Sequence, residues 1–113
     1  MDPKSFNDWL GMRIGDEPNE VVLDTRPEHQ VAPGLIHFAV LTTLAEVSAA
    51  TAVAGPVVPT TLQINLMRRA APGRLVGRGT VIKRGRTLAV AEGEVLQEDK
   101  LVAKATVTFA MMG

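Results

Sequence analysis

Residues 36–53 form an almost unbroken apolar run with one carboxylate, Glu46, near its middle. The run is long enough to be tested as a membrane span. Against that stand Glu46, His37 at its start, Pro56 and Pro59 just beyond its end, and the lack of a basic flank to orient it. A buried core helix over residues 37–54 fits better. Val40, Leu41, Leu44, Ala45, Val47, Ala49, Ala50 and Val53 leave no wholly polar face, so other elements must enclose the helix. Its polar positions are grouped. Thr42, Thr43 and Glu46 fall at i, i+1 and i+4, on one side. The alanines permit close approach of a neighbouring backbone, and Gly55 is a helix stop.

What encloses the helix follows from the rest of the chain. At 113 residues there is material for one core, hence one domain over residues 1–113. A short helix is expected over residues 3–10, where Phe6, Trp9 and Leu10 share a face and Pro3 suits a first turn. Gly11, Gly15 and Pro18 end it. Val21, Val22 and Leu23 suggest a first strand, and Ala32-Pro33-Gly34 a turn. After the helix, strands are expected where Leu62, Ile64 and Leu66 alternate with Gln63 and Asn65, then over residues 75–83, 88–96 and 101–111. Turns at Ala71-Pro72-Gly73, Arg84-Gly85-Arg86 and Glu98-Asp99-Lys100 separate them. In the last strand Leu101, Ala103, Ala105, Val107, Phe109 and Met111 share a face, as in a half-buried antiparallel sheet. The predicted fold is therefore α+β, a long central helix wrapped by about five antiparallel strands. A single sheet around one helix leaves edges exposed. Pairing with a second copy would cover them, so a homo-oligomer, dimer or tetramer, is expected.

Composition narrows the function. Lys plus Arg and Asp plus Glu are balanced at 12 each, which argues against binding nucleic acid or a membrane surface through charge. No cysteine is present, so a disulfide, a thiol nucleophile and a cysteine-based zinc site are excluded. With His29 and His37 the only histidines, no metal site is expected, and no cofactor. The N-terminus lacks an apolar signal segment, which reads as cytosolic.

One stretch carries more. His29-Gln30-Val31-Ala32-Pro33-Gly34-Leu35-Ile36-His37-Phe38-Ala39, followed by Leu44-Ala45-Glu46, resembles the hotdog-fold thioesterases of the PaaI and 4-hydroxybenzoyl-CoA thioesterase type. Their pattern is H-x-N-x-x-G-x-x-H-G-G with an acid nine positions after the second histidine. His29, Gly34, His37 and Glu46 fall in register; Val31 stands at the asparagine, and Phe38 and Ala39 at the paired glycines. The resemblance extends over residues 10–112. It implies hydrolysis of an acyl-CoA thioester bearing a small or medium acyl group, with sites shared between subunits of an oligomer.

That chemistry needs three elements. An oxyanion donor is available in the free N–H groups of a helix N-terminus, here the Phe38 backbone N–H. A carboxylate, Glu46, would attack the carbonyl or activate water. A cationic surface would hold the nucleotide phosphates, with Arg84, Arg86, Arg68 and Arg69 as candidates in declining order. His37 would order the loop or position substrate, and His29 would be a turn residue. Gly34, Val31, Thr42 and Thr43 complete the candidate site, either threonine being able to reach Glu46. On one helix Phe38 and Glu46 lie about 12 Å apart along the axis, so acting together they must come from different subunits. Two other functions compete: a hotdog protein that binds acyl-CoA or scaffolds without turnover, which Val31 and Phe38 favour, and an acyl hydratase or dehydratase, whose motif spacings are not found here.

Overall fold

The computed structural model describes residues 5–112. The long helix α2 spans Phe38–Val53, with His37 as its N-cap and Ala54 closing it in a left-handed conformation. The first helix, α1, is Phe6–Leu10, capped by the Ser5 hydroxyl, which accepts from the Asp8 N–H, and ended by Gly11. The expected start of α1 at Pro3 lies outside the described residues.

Eight strands appear among the described residues, more than the five expected. Six of them, β1 (Arg13–Ile14), β2 (Glu20–Asp24), β5 (Val57–Leu66), β6 (Arg74–Arg84), β7 (Leu88–Gln97) and β8 (Lys100–Met111), form one antiparallel sheet in the order β1-β2-β6-β7-β8-β5. The other two, β3 (Gln30–Ala32) and β4 (Leu35–Ile36), pair as a small ribbon ahead of α2. The unforeseen strands are two or three residues long, too short to show a period. The strand after α2 begins well before Leu62 and stops at Leu66, so Arg68 and Arg69 lie in the loop beyond it. The β7–β8 turn is made by Glu98 and Asp99, both at positive φ, as a tight two-residue hairpin requires.

The sheet packs on one side of α2 only. Leu44, Ala45, Ser48, Ala49 and Val53 are fully buried against Leu75, Ala91, Val95, Ala103, Ala105, Val107 and Phe109. A fully buried Leu, Val or Phe contributes about 1.5–3 kcal/mol relative to exposure. The contact is close because the sheet presents glycines beneath the helix. A Cβ added at Gly93 would collide with the Ala45 carbonyl, and one at Gly79 with the Ser48 carbonyl. The opposite side of α2, carrying Ala39, Thr42, Thr43, Glu46, Val47 and Ala50, stays partly open. This corrects the expectation of a helix enclosed on every face: within one protomer the single sheet covers one side, that of Leu44, Ala45, Ser48, Ala49 and Val53. At the far edge, β5 pairs with β8 alone, leaving Val58, Leu62 and Leu66 at 45%, 37% and 50% exposure. No helix among the described residues is long and apolar enough to cross a membrane.

Candidate active site

The β3–β4 ribbon delivers the chain to the start of α2. Its turn needs Gly34, whose φ is +82°, and the Gly34 N–H donates to the Gln30 side-chain oxygen at 2.7 Å. Two backbone bonds then fix the entry: the Ile36 N–H donates to the Ala70 carbonyl and the His37 N–H to the His29 carbonyl, both at 2.9 Å. His29 is not merely a turn residue. It closes a 3-10 turn (Pro27–His29), is 3% exposed, and its Nδ1 accepts the Arg26 N–H at 3.0 Å. Its Nε2, which must then carry the proton, is buried without an acceptor in hydrogen-bond geometry among the described residues. Burial, with the Arg26 cation second, holds the imidazole below its ordinary pKa and so favours the neutral ring.

At the first turn of α2, the Ala39 N–H donates to His37 Nδ1 at 2.9 Å and the Val40 N–H to the His37 carbonyl at 3.0 Å. That leaves the Phe38 N–H without an acceptor among the described residues. The His37 and Phe38 rings stack with centroids 4.8 Å apart, and Phe38 is 57% exposed.

Two open grooves reach this turn. One, of about 410 Å³, is walled by Val31, Leu35, Phe38, Leu41 and Met67 and rimmed by Arg68 and Arg69. Neither arginine has a carboxylate within ion-pair distance among the described residues. The other, of about 280 Å³, lies on the opposite side of the turn, against His37, Ala39 and Thr43, under α1. Val31, Phe38 and Arg68 therefore come together. Arg84 and Arg86 do not join them within one protomer. Their hairpin sits where β7 begins, and Leu88 opposes Ala110, which opposes Val58. The turn of α2 lies past the other end of β5, about 30 Å away along the strand.

Glu46 lies two turns further along α2, on its open side. No cation lies within ion-pair distance of it among the described residues, so within the protomer it is not half of a structural ion pair. Desolvation raises its carboxyl above the usual range. Thr42 and Thr43 share its side of the helix, but their hydroxyls donate back to the Phe38 and Ala39 carbonyls at 2.9 and 2.8 Å rather than to Glu46. Sequence reasoning missed Leu41 and Met67 as groove walls, and Trp9 as more than a helix position. Met67 lies in an irregular loop with no period to flag it; Trp9 carried the signal of a large aromatic on a five-residue helix that cannot bury it.

A long helix laid on a curled antiparallel sheet, with an arginine-rimmed groove at the helix N-terminus, defines the class: a hotdog-fold domain of the thioesterase type. The family is narrower. Residues 27–110 match the model of the acyl-CoA thioesterase N-terminal domain, and the chain belongs to that family. Among solved structures, a single-residue variant of the phenylacetic acid degradation protein PaaI of Thermus thermophilus is similar. It is 29% identical over 95% of this chain and 98% of that one, with a TM-score of 0.85. A phenylacetic acid degradation-related protein of Ralstonia eutropha is 26% identical over 93% and 88%, with a TM-score of 0.81. A thioesterase of Haemophilus influenzae shares the fold at 23% identity over 96% and 83%, with a TM-score of 0.86. No curated protein matches the chain in sequence.

Proposed function

We propose that the protein hydrolyses acyl-CoA thioesters of small or medium acyl groups, as a cytosolic homo-oligomer with sites shared between subunits. The observation that carries this reading is the Phe38 N–H, free at the start of α2 where an apolar groove rimmed by Arg68 and Arg69 opens. A thioester carbonyl seated there accepts that hydrogen bond, strengthened by the helix dipole, and its oxygen gains negative charge as the tetrahedral intermediate forms. The partner's α2 would bring the copy of Glu46 to the other side of the carbonyl, since a protomer's own Glu46 is too far along the helix. Glu46 takes a proton from water as the water attacks, and collapse expels the CoA thiolate, which takes up that proton, and leaves the carboxylic acid. If Glu46 attacks directly instead, collapse expels the thiolate and leaves a mixed anhydride on Glu46, which a water then hydrolyses to the carboxylic acid and free Glu46. A carboxyl raised by desolvation suits the base role near neutral pH. Gly34 shapes the ribbon, Val31 and Phe38 line the arm of the substrate, and Arg68 with Arg69 meets the phosphates. Arg84 and Arg86 reach the site only from a second subunit.

A second reading, binding without turnover, is favoured by one feature: the Phe38 ring stands 57% exposed beside its own amide, where it narrows the carbonyl's approach. One assay separates the two. A panel of acyl-CoA substrates with a thiol-detecting reagent shows release of CoA if the first reading holds. Binding of a CoA thioether without turnover on any acyl-CoA establishes the second.

A further inference from the structure

The two grooves that meet at the first turn of α2 differ in charge and surface. The first carries Arg68 and Arg69 without carboxylate partners among the described residues. The second is walled by Phe6, Trp9, Ala39 and Val40 and has Glu28 on its rim. Arg26, the partner of that Glu28, is already engaged, by Glu28 at 3.4 Å and by the Trp9 carbonyl, to which it donates at 2.7 Å. Phe6 and Trp9 stand 60% and 56% exposed, their rings 6.1 Å apart. Large aromatics left half-open on a five-residue helix need a reason. The helix is held rigidly enough for them to form a wall: Leu10 is buried in the core and Arg26 grips the Trp9 carbonyl.

We infer that Trp9, with Phe6, is the specificity-determining wall of the acyl subsite, and that this groove takes an uncharged apolar acyl group while the arginine-rimmed groove takes the CoA arm. The inference rests on the acyl-CoA reading above. The carbonyl sits between the grooves at the Phe38 N–H, so acyl and CoA must leave it in opposite directions. Phosphates would find no free cation among the described residues beside the paired Arg26 and Glu28 of the second groove and would be held by Arg68 and Arg69 of the first. An acyl chain ending in a carboxylate would come up beside Glu28 and meet no unengaged lysine or arginine among the described residues, only the polar side chains of Gln30, His37 and Thr43, so its charge would be poorly compensated. An apolar chain instead covers the Trp9 and Phe6 rings.

Trp9 is the chain's one tryptophan, so it reports on its own occupancy. Titration of the wild-type oligomer with S-hexyl-CoA, a thioether that cannot be hydrolysed, should shift or quench its emission, whereas CoA alone should not. In turnover, hexanoyl-CoA should exceed adipoyl-CoA in kcat/KM by at least about tenfold, the scale of a mismatch in an apolar pocket. Trp9→Ala should lower the ratio of kcat/KM for hexanoyl-CoA over acetyl-CoA by about tenfold, with the oligomeric state unchanged. Emission that stays constant while calorimetry shows S-hexyl-CoA saturating the protein overturns the inference and leaves the acyl-CoA reading standing. So does an unchanged hexanoyl-to-acetyl ratio in Trp9→Ala, or dissociation of the oligomer by that change, which would make the aromatic pair a subunit contact. No binding of either CoA compound overturns both.

Discussion

Glu46 is where the residue scale matters most. A carboxylate on the open side of α2 with no cation of its own protomer beside it loses hydration and gains no partner, which is why its pKa lies above 4.5. A raised folded-state value means that the native protein holds its proton more tightly than the unfolded chain. Its stabilisation is therefore present below pH 4.5 and is lost as pH rises through the folded value. Glu46→Gln should accordingly raise the thermal midpoint at pH 7.5 and leave it unchanged at pH 4, as scanning calorimetry at both values will show. In the same variant CoA release should fall at least about a hundredfold, the scale of a lost general base. A variant turning over at the wild-type rate would remove Glu46 from the mechanism. His29 runs in the opposite sense. Its pKa is depressed from 6.5, so the unfolded chain takes up the proton first and stability falls as pH drops below 6.5. Protonation at Nδ1 would also break the bond from the Arg26 N–H. His29→Gln should flatten the pH dependence of the midpoint in that window. The histidine spacing was visible in the chain; that one ring is sealed under α1 and the other caps a helix was not, because neither fact is local.

At the scale of elements, α2 and the sheet meet through small residues. Ala45, Ser48 and Ala52 face Gly93, Gly77 and Gly79, so the helix backbone lies almost on the strands. The alanines predicted a close neighbour, and one is there. The chain alone did not say which side of the helix it would touch, because α2 is apolar nearly all round and no face stands out by hydrophobicity. The glycines decide it, and they come from strands brought in from far along the sequence. Gly93→Ala is therefore a test of the layer. Its Cβ would meet the Ala45 carbonyl, and a backbone atom of a packed helix cannot swing aside. The variant should lose about 3 kcal/mol, read as a lower urea midpoint with an unchanged slope. Gly55, where an added methyl would meet only open space, serves as the comparison and should tolerate alanine with a change below about 0.5 kcal/mol.

At the scale of the whole molecule, the uncovered edge of β5 and the open side of α2 leave the proposed site unfinished in one protomer. The protein should run as a dimer or tetramer in light scattering at micromolar concentration; a stable folded monomer would sink the shared site. The cations give a second test. Arg68→Ala with Arg69→Ala should raise KM for acyl-CoA and weaken its salt dependence, with little effect on a short thioester lacking the nucleotide. If Arg84→Ala with Arg86→Ala does the same, the nucleotide lies across the subunit boundary, since that hairpin sits at the far end of its own sheet. The sequence by itself determined what depends on neighbours along the chain: a long helix after a Pro-Gly turn, alternating strands, one mid-helix acid at a telling distance from the helix start, and a motif that pointed to the family. Only the tertiary structure decided which side of α2 is covered, that Arg68 and Arg69 rather than Arg84 and Arg86 stand at its N-terminus, and that Trp9 walls a second groove. The reason is physical. Helix and strand periods are written in short windows of sequence, whereas the register of β5 on β8 and the seat of α1 are set by packing between residues far apart in the chain.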